Sequence, residues 1–167
     1  MSLVDEVQRT LDAAGVRIEI RELAESTATA SLAAAAVDAP LGSIVKSLIF
    51  MVAGKPLLVL VAGDQKADSK RIARLMGVSK KKVRIARSDE VMAVAGCSPG
   101  GVPPVAHREP LRTLVDRTLS RFGTVWAAAG APNALFPITN TELLSLTGGE
   151  VVDIAAGGSD RSGDGEE

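Results

Sequence analysis

A lysine stands inside the most apolar part of the sequence, where its type and spacing could support chemistry. Residues 44–52 and 57–61 are dominated by aliphatic side chains and flank the segment 53–56, which predicts two strands joined in a hairpin. On an extended strand, Lys46 shares a face with apolar residues two and four positions away. Because an unpaired ammonium is costly there, Lys46 must reach water, pair with a carboxylate, or lie at a cleft that receives an anionic or carbonyl oxygen. For this stretch alone, a strand-edge lysine extending into solvent is the simpler interpretation.

The segment 96–104, GCSPGGVPP, is a second place where chemistry is plausible. Its three glycines and three prolines predict a loop of fixed shape. Adjacent glycines at 100 and 101 let backbone amides approach a ligand closely, and such amides can bind an oxyanion or a carboxyl-type oxygen. A side chain at Gly101 is expected to block that approach and to resist positive φ. A purely structural loop explains the composition equally well.

Cys97 and His107 are the single cysteine and the single histidine of the chain. Together they suggest a thiol nucleophile with a base. However, no acidic residue that could orient the histidine is identifiable, and a lone cysteine is more often a small buried hydrophobe. We therefore keep nucleophilic catalysis at Cys97 only as a minor alternative.

Basic residues are concentrated between positions 66 and 87, where only Asp68 opposes them. They are Lys66, Lys70, Arg71, Arg74, Lys80, Lys81, Lys82, Arg84 and Arg87. A basic helix followed by a basic loop is typical of a surface that binds a phosphate backbone. A solvated surface without a ligand is the alternative.

Composition excludes several classes of protein. The chain has 167 residues, 46% of them apolar and 2% aromatic, and a formal net charge of −1, which indicates one aliphatic domain rather than a polycation. With one cysteine it can form no intrachain disulfide, and its first residues lack a signal-peptide pattern, so we expect a cytoplasmic protein. No apolar run is long enough to span a bilayer. No metal-ligand cluster, P-loop or dinucleotide fingerprint is present, so we expect no metal and no cofactor.

The pattern of apolar residues and capping signals predicts an α+β protein with a mixed, strongly curved sheet and helices packed outside. Strands are predicted at 16–21, 44–52, 57–61, 83–85, 111–116, 124–129, 135–138 and 151–154. Helices are predicted at about 3–14, 26–38, 68–76, 89–95 with Ser88 as its cap, and 139–147. The last residues, 156–167, are rich in Gly, Ser and acids and are predicted to be a disordered tail.

Five segments in this order carry a family resemblance: IVKSLIF around Lys46, SKRIARLMG, GCSPGGVPPV, VWAAAG ending at Gly130, and LLSLTGGEVVDIA. Together they resemble the YbaK/EbsC family of aminoacyl-tRNA deacylases, to which the editing insertion domain of bacterial prolyl-tRNA synthetases is related. The resemblance covers roughly residues 3–155, so we expect one deacylase domain over 1–155. The family fold is a mixed sheet curved into a partly open barrel with helices outside.

The resemblance implies roles for individual residues. Lys46 would be the functional lysine, directed at the aminoacyl ester or the terminal adenosine. The loop would bind around the scissile carbonyl, and the implied substrate-binding residues are Ser98, Gly100, Gly101, Pro103, Pro104 and Gly130. In this family no protein nucleophile is needed, because water or the substrate's own groups attack the ester. Ala106, where many members have Gly, and the segment 131–134 depart from the family pattern and leave the amino-acid specificity open.

Three hypotheses follow. The first is hydrolysis in trans of a mischarged aminoacyl-tRNA of the Cys-tRNA(Pro) or Ala-tRNA type. The second is a non-catalytic module that binds the tRNA acceptor end or a synthetase, and the third is a thiol hydrolase using Cys97. The expected partners are aminoacyl-tRNA and an aminoacyl-tRNA synthetase, with neither DNA nor a membrane. The basic residues assigned to tRNA are Lys70, Arg71, Arg74, Lys80, Lys81 and Lys82.

Overall fold

Five α-helices and eight β-strands make up residues 1–156, the part of the chain that the computed structural model describes. The helices are α1 (Leu3–Ala13), α2 (Ala30–Val37), α3 (Ser69–Met76), α4 (Ser88–Ala95) and α5 (Asn140–Thr147). The strands are β1 (Arg21–Glu22), β2 (Val45–Val52), β3 (Lys55–Ala62), β4 (Val83–Ile85), β5 (Thr113–Asp116), β6 (Thr124–Ala128), β7 (Ala134–Thr139) and β8 (Glu150–Val152). Three short 3₁₀ turns complete the described chain: Leu41–Ser43, Lys80–Lys82 and Arg117–Arg121. The predicted tail lies, from residue 157 onward, outside the described residues.

The strands form two sheets. The larger has the order β4-β2-β3-β5-β8 and is mixed, because β2 pairs antiparallel with β3 and β4, whereas β5 pairs parallel with β3 and β8. The smaller is antiparallel, with the order β1-β7-β6. A single parallel bridge between Ile44 and Trp126 joins the two. The predicted α+β fold with a mixed sheet is confirmed, but the sheets do not close into a barrel, and the partly open barrel stays unconfirmed.

The central hairpin is tighter than predicted. Ala53 and Gly54 form a two-residue turn in which both residues have left-handed φ, +50° and +83°, as the twist of a two-residue hairpin requires. Lys55 and Pro56 therefore belong to β3 and not to the turn. Pro56 is tolerated in the strand because it lies at its start, before β5 begins to pair at Leu58.

The predicted strand at 16–21 is largely wrong. Only β1, Arg21–Glu22, pairs with another strand. The preceding backbone is held by the side chain of Gln8 on α1, which donates to the carbonyl of Ile18 (2.9 Å) and accepts from the amide of Ile20 (3.1 Å). A side-chain amide thus replaces a strand partner, and the alternating pattern survives because Ile18 and Ile20 still pack on the core.

Helix starts and ends follow local signals closely. Asp68 caps α3 by accepting a backbone amide with its side chain, as predicted. Helix α2 begins at Ala30, later than the predicted start at 26, and Thr29 is its cap. Helix α4 differs, since it begins at Ser88 itself, and Glu90 accepts the amide of Arg87 at 2.8 Å. Strand β5 starts two residues later than predicted, and β8 starts one residue earlier and ends two residues earlier.

The larger sheet separates two aliphatic cores. One face of β2, including Val45 and Ile49, packs in the core that contains α1 and Phe136. The other face, including Phe50, packs against Ile72 of α3. Lys46 alternates with Val45 and so lies at the end of the α3 face, as predicted from its spacing.

Candidate active site

A cavity of about 430 Å³ opens along the edge of β2. Its walls come from α2, β2, β6 and the loop at 99–102. β2 pairs with β4 only over Phe50–Val52 and meets β6 only through the Ile44–Trp126 bridge, so no strand in the described chain covers that edge from Val45 to Leu48. The cavity occupies the gap between the two sheets.

Lys46 lines this cavity. Its side chain is half-buried, and its ammonium donates a hydrogen bond to the backbone carbonyl of Gln65, in the turn that follows β3. A backbone carbonyl oxygen at the end of the sheet therefore stabilises the ammonium of Lys46 among its apolar neighbours, beside the cavity. An ammonium at the wall of a cavity can stabilise negative charge on a reacting oxygen.

The turn that holds Lys46 is itself held by an ion pair. The guanidinium of Arg121 donates two hydrogen bonds, of 2.7 and 3.0 Å, to the carboxylate of Asp64. This bidentate hydrogen bonding lowers the pKa of the Asp64 carboxyl and raises that of the Arg121 guanidinium. The amide of Gly63 donates to the carbonyl of Ile44 at 2.7 Å, which ties the turn to the residue before β2.

One glycine of the predicted loop reaches the cavity. Gly100 lines it, has a left-handed φ of +94°, and packs so closely that a Cβ there would lie 2.9 Å from the carbonyl oxygen of Ala28. The positive φ expected at Gly101 thus belongs to Gly100. Gly101 is buried, and its carbonyl accepts the amide of Gly130 at 2.8 Å.

The other predicted loop residues lie behind the cavity wall or outside it. Pro103 and Pro104 are buried and Ser98 is exposed, and none of the three lines the cavity. The ring of His107 donates through Nε2 to the carbonyl of Pro103 at 2.7 Å, and burial lowers its pKa. The loop is therefore held in place by its own contacts, and of these residues it places Gly100 at the cavity.

Ala106 has a left-handed φ of +66°. An L-residue with a side chain is strained in this conformation by about 1 kcal/mol or more, whereas glycine adopts it readily. This explains in physical terms why glycine would suit the position at which the sequence departs from the family pattern.

Ser47 is a cavity residue that sequence reasoning missed. Its hydroxyl oxygen is buried and has no hydrogen-bond partner among the described residues. The sequence gives no signal for Ser47. That its hydroxyl lacks a partner becomes apparent only once the strands paired with both edges of β2 are known. Trp126, whose ring is 4.8 Å from the guanidinium of Arg21, was likewise noticed only as part of a motif.

The basic segment is partly neutralised by acids from other segments. Arg71 pairs with Asp153 at 3.0 Å, and Arg84 pairs with Glu90 at 2.7 Å, which lowers the pKa of Glu90 to about 2. Arg87 pairs with Asp89 and Glu90. No ion pair with a described residue engages the remaining predicted tRNA contacts, which are Lys70, Arg74, Lys80, Lys81 and Lys82.

No group of three or more His, Cys, Asp or Glu side chains within residues 1–156 could hold a metal ion. None of the helices in this part of the chain is long and apolar enough to cross a membrane.

Comparison with protein families identifies the chain. A sequence model of the family described as "Aminoacyl-tRNA editing domain" matches residues 24–146, which include Lys46 and the whole loop. The chain belongs to this family. It is therefore an aminoacyl-tRNA editing enzyme, a hydrolase, and the family resemblance predicted from its sequence is confirmed.

Individual relatives agree with this assignment. The chain is 33% identical over 126 residues to the uncharacterized protein YwhH of Bacillus subtilis, covering 75% of this chain and 78% of that protein. It is 26% identical over 115 residues to the "Putative Cys-tRNA(Pro)/Cys-tRNA(Cys) deacylase EbsC" of Enterococcus faecalis, covering 68% of each. It is also 32% identical over 122 residues to the proline–tRNA ligase of Methylibium petroleiphilum. This match covers 67% of this chain but only 20% of the ligase.

A solved structure matches over nearly the whole described fold. The crystal structure of "a putative trans-editing enzyme for prolyl tRNA synthetase" superposes with a TM-score of 0.87 at 41% identity, covering 94% of this chain and 99% of that one. The arrangement of sheets and helices is thus shared with that protein.

Cys97 is the site residue whose chemistry the structure tests most directly. It is buried in the core, and burial raises the pKa of its thiol to about 11, so only about one thiol in a thousand is ionised at pH 8. No hydrogen bond joins it to His107 in the described chain. We expect Cys97→Ala to retain most of the deacylation rate and the native protein to react slowly with iodoacetamide, measured by mass spectrometry.

The thiol-hydrolase hypothesis predicts the opposite. It would be supported by an inactive but folded Cys97→Ala variant, together with protection of the wild-type thiol from alkylation by bound substrate.

Proposed function

We propose that the protein hydrolyses the ester of a mischarged aminoacyl-tRNA in trans, with Cys-tRNA(Pro) or Ala-tRNA as the type of substrate. The observation that carries the proposal is that Lys46 and Gly100, which are 54 positions apart in the sequence, line one cavity in a chain of the editing family. The names of relatives, which mention Cys-tRNA(Pro) and prolyl-tRNA synthetase, support this choice.

Lys46 is the residue that we assign to catalysis. Attack on the ester carbonyl by water, or by the substrate's own groups, places negative charge on the carbonyl oxygen. A fixed ammonium at the cavity wall stabilises that charge without reorganising at the moment of reaction. The backbone around Gly100 lies within reach of the same cavity and is the candidate contact for the ester and the terminal ribose.

The cavity walls favour a small, uncharged amino acid. Around the edge of β2 they carry the side chains of Ala33, Ala127, Ala128 and Val91. A volume of about 430 Å³ lies at the low end of the range for small-ligand sites, about 300–1,000 Å³. Small aliphatic walls leave room for an alanyl or cysteinyl side chain beside the polar ester, whereas a positively charged side chain would find no acidic partner among the lining residues.

The exposed lysines at 80–82 are well placed for the tRNA body and poorly placed for the ester. The carbonyl of Lys82 accepts the amide of Ala53 at the turn of the hairpin, whereas Lys46 lies at the opposite end of β2. Lys46 and Val52 are six positions apart along the strand, a distance of about 20 Å at ~3.4 Å per residue. We assign contacts with tRNA phosphates to Lys70, Arg74 and the three lysines. Arg71 is no longer among the proposed contacts, because it is already paired with Asp153.

A prolyl-tRNA synthetase is the proposed partner, because segments of such ligases are similar to this chain. The cytoplasm is the proposed location. A non-catalytic module that binds the acceptor end is the competing function, and turnover separates the two, since a binding module would shift tRNA mobility without releasing amino acid from a panel of mischarged tRNAs.

Lys46→Ala is expected to lower the deacylation rate by about 100-fold or more, because it removes the charge that stabilises the transition state. Lys46→Arg should also fail, since a planar guanidinium does not replace a compact ammonium. Release of labelled amino acid gives the rate, and circular dichroism confirms the fold. Wild-type turnover by a folded Lys46→Ala variant would contradict the assignment.

Gly100→Ala tests the loop. The new Cβ would contact the carbonyl of Ala28 and strain a left-handed residue at the cavity, so we expect activity to fall about tenfold with a stability loss of about 1–2 kcal/mol. Gly148→Ala is the matched control, because Gly148 also has left-handed φ, +65°, but has open space around it at the end of α5. Equal effects on activity in the two variants would show that the loop is only structural.

Replacement of Lys80, Lys81 and Lys82 by Ala should weaken binding of full-length tRNA, and the slope of log K against log salt should fall by up to about three. Turnover at saturating tRNA should change little, because these contacts are equal in ground and transition states. Hydrolysis of an aminoacyl-adenosine fragment should be unchanged. An unchanged salt slope would mean that tRNA approaches from another side.

A further inference from the structure

Two cations hold the short turn at 63–66 from two directions. The Lys46 ammonium donates to the backbone carbonyl of Gln65, and the guanidinium of Arg121 binds the carboxylate of the preceding residue, Asp64, at 2.7 and 3.0 Å. Because Asp64 and Gln65 are consecutive, displacement of one moves the other. The two contacts are therefore mechanically linked.

Two glycines bring this pair against the start of β2. A Cβ at Gly42 would lie 2.9 Å both from Nη2 of Arg121 and from a carboxylate oxygen of Asp64. A Cβ at Gly63 would lie 2.4 Å from the carbonyl oxygen of Leu41. The ion pair thus lies directly on the 3₁₀ turn Leu41–Ser43, which leads into β2 and Lys46.

Two further contacts, besides the ion pair with Asp64, hold the side chain of Arg121. Its Nε donates to the carbonyl of Thr118 at 2.7 Å, and its guanidinium lies 5.1 Å from the ring centre of Phe122. A guanidinium anchored in this way presents two parallel donors to a carboxylate, which an ammonium cannot do. Arg121 does not line the cavity.

We propose that Arg121 is a positioning residue, which holds the Gln65 carbonyl through Asp64 and so fixes the ammonium of Lys46 at the cavity. The inference rests on the catalytic role proposed above for Lys46. A shift of about 1 Å in a catalytic group can cost up to about 100-fold in rate. Because Arg121 is outside the cavity, its loss should lower kcat and leave KM nearly unchanged.

An ordinary surface ion pair is the alternative, and the chain offers a matched example. Arg112 pairs with Glu150 at 3.0 Å and joins β5 to β8. Both pairs are partly exposed, with arginine side-chain exposures of 54% for Arg112 and 41% for Arg121. Within residues 1–156 no hydrogen bond or ion pair joins the Arg112 side chain to the turn, so Arg112→Ala controls for the loss of an exposed pair.

The experiment compares Arg121→Ala, Arg121→Lys, Asp64→Asn and Arg112→Ala in the full chain. We expect Arg121→Ala and Asp64→Asn each to lower kcat about tenfold with KM within about twofold, on both mischarged tRNA and an aminoacyl-adenosine fragment. The double variant should be no slower than either single one, because both break one link. Arg121→Lys should recover part of kcat, and Arg112→Ala should match the wild type. Melting temperatures should stay within about 4 °C of the wild type.

Several outcomes would overturn the inference. Wild-type kcat in Arg121→Ala, with Lys46→Ala inactive, would refute the positioning role while leaving the proposed function intact. A change confined to KM and salt dependence on full-length tRNA would make Arg121 a phosphate contact instead. Equal turnover by the wild type and Lys46→Ala would remove the catalytic role of Lys46 and, with it, this inference. Absence of turnover by the wild type on every mischarged tRNA would instead remove the proposed function itself, which Arg121 variants alone cannot do.

Discussion

The cavity exists because strand β2 changes its neighbour along its length. On one edge, its far end pairs with β4 and the residue before the strand bridges to β6. Between these two contacts residues 45–48 have no strand on that edge within residues 1–156, while β3 pairs along the other edge. A sheet edge buried in this way would normally be costly, because its amides and carbonyls need partners. The gap between the two sheets instead forms the cavity, which Lys46 and Ser47 line.

Placing a charged group at this edge creates a second demand. The Lys46 ammonium is partly withdrawn from water, and the turn after β3 supplies a carbonyl oxygen for it. The Asp64–Arg121 pair and the hydrogen bond from the Gly63 amide to the Ile44 carbonyl hold this turn in place. Gly42 and Gly63 pack closely against this ion pair and the adjoining 3₁₀ turn, so this tight packing lies beside the turn that holds the Lys46 ammonium.

The sequence was a good guide wherever one segment determines its own structure. The hairpin, the helix cap at Asp68, and the alternation that places Lys46 could all be predicted, because each depends on residues within a few positions of one another. What failed depended on distant partners: Gln8 replaced a strand partner for residues 18–20. The Asp64–Arg121 pair spans 57 positions and leaves no local signal. The catalytic role proposed for Lys46 came from the family resemblance, because alternation alone left that role open.

The distance between the cavity and the lysines at 80–82 constrains how discrimination can work. Contacts about 20 Å from the ester cannot sense which amino acid it carries. Selection of the amino acid must therefore occur at the small aliphatic walls, where one extra methylene is worth only about 1–3 kcal/mol. Selection of the tRNA must occur at the phosphates or through a partner, because phosphate contacts carry little sequence information. An editing enzyme built in this way can tolerate weak discrimination at each place, since only a tRNA that satisfies both is bound with its ester beside Lys46.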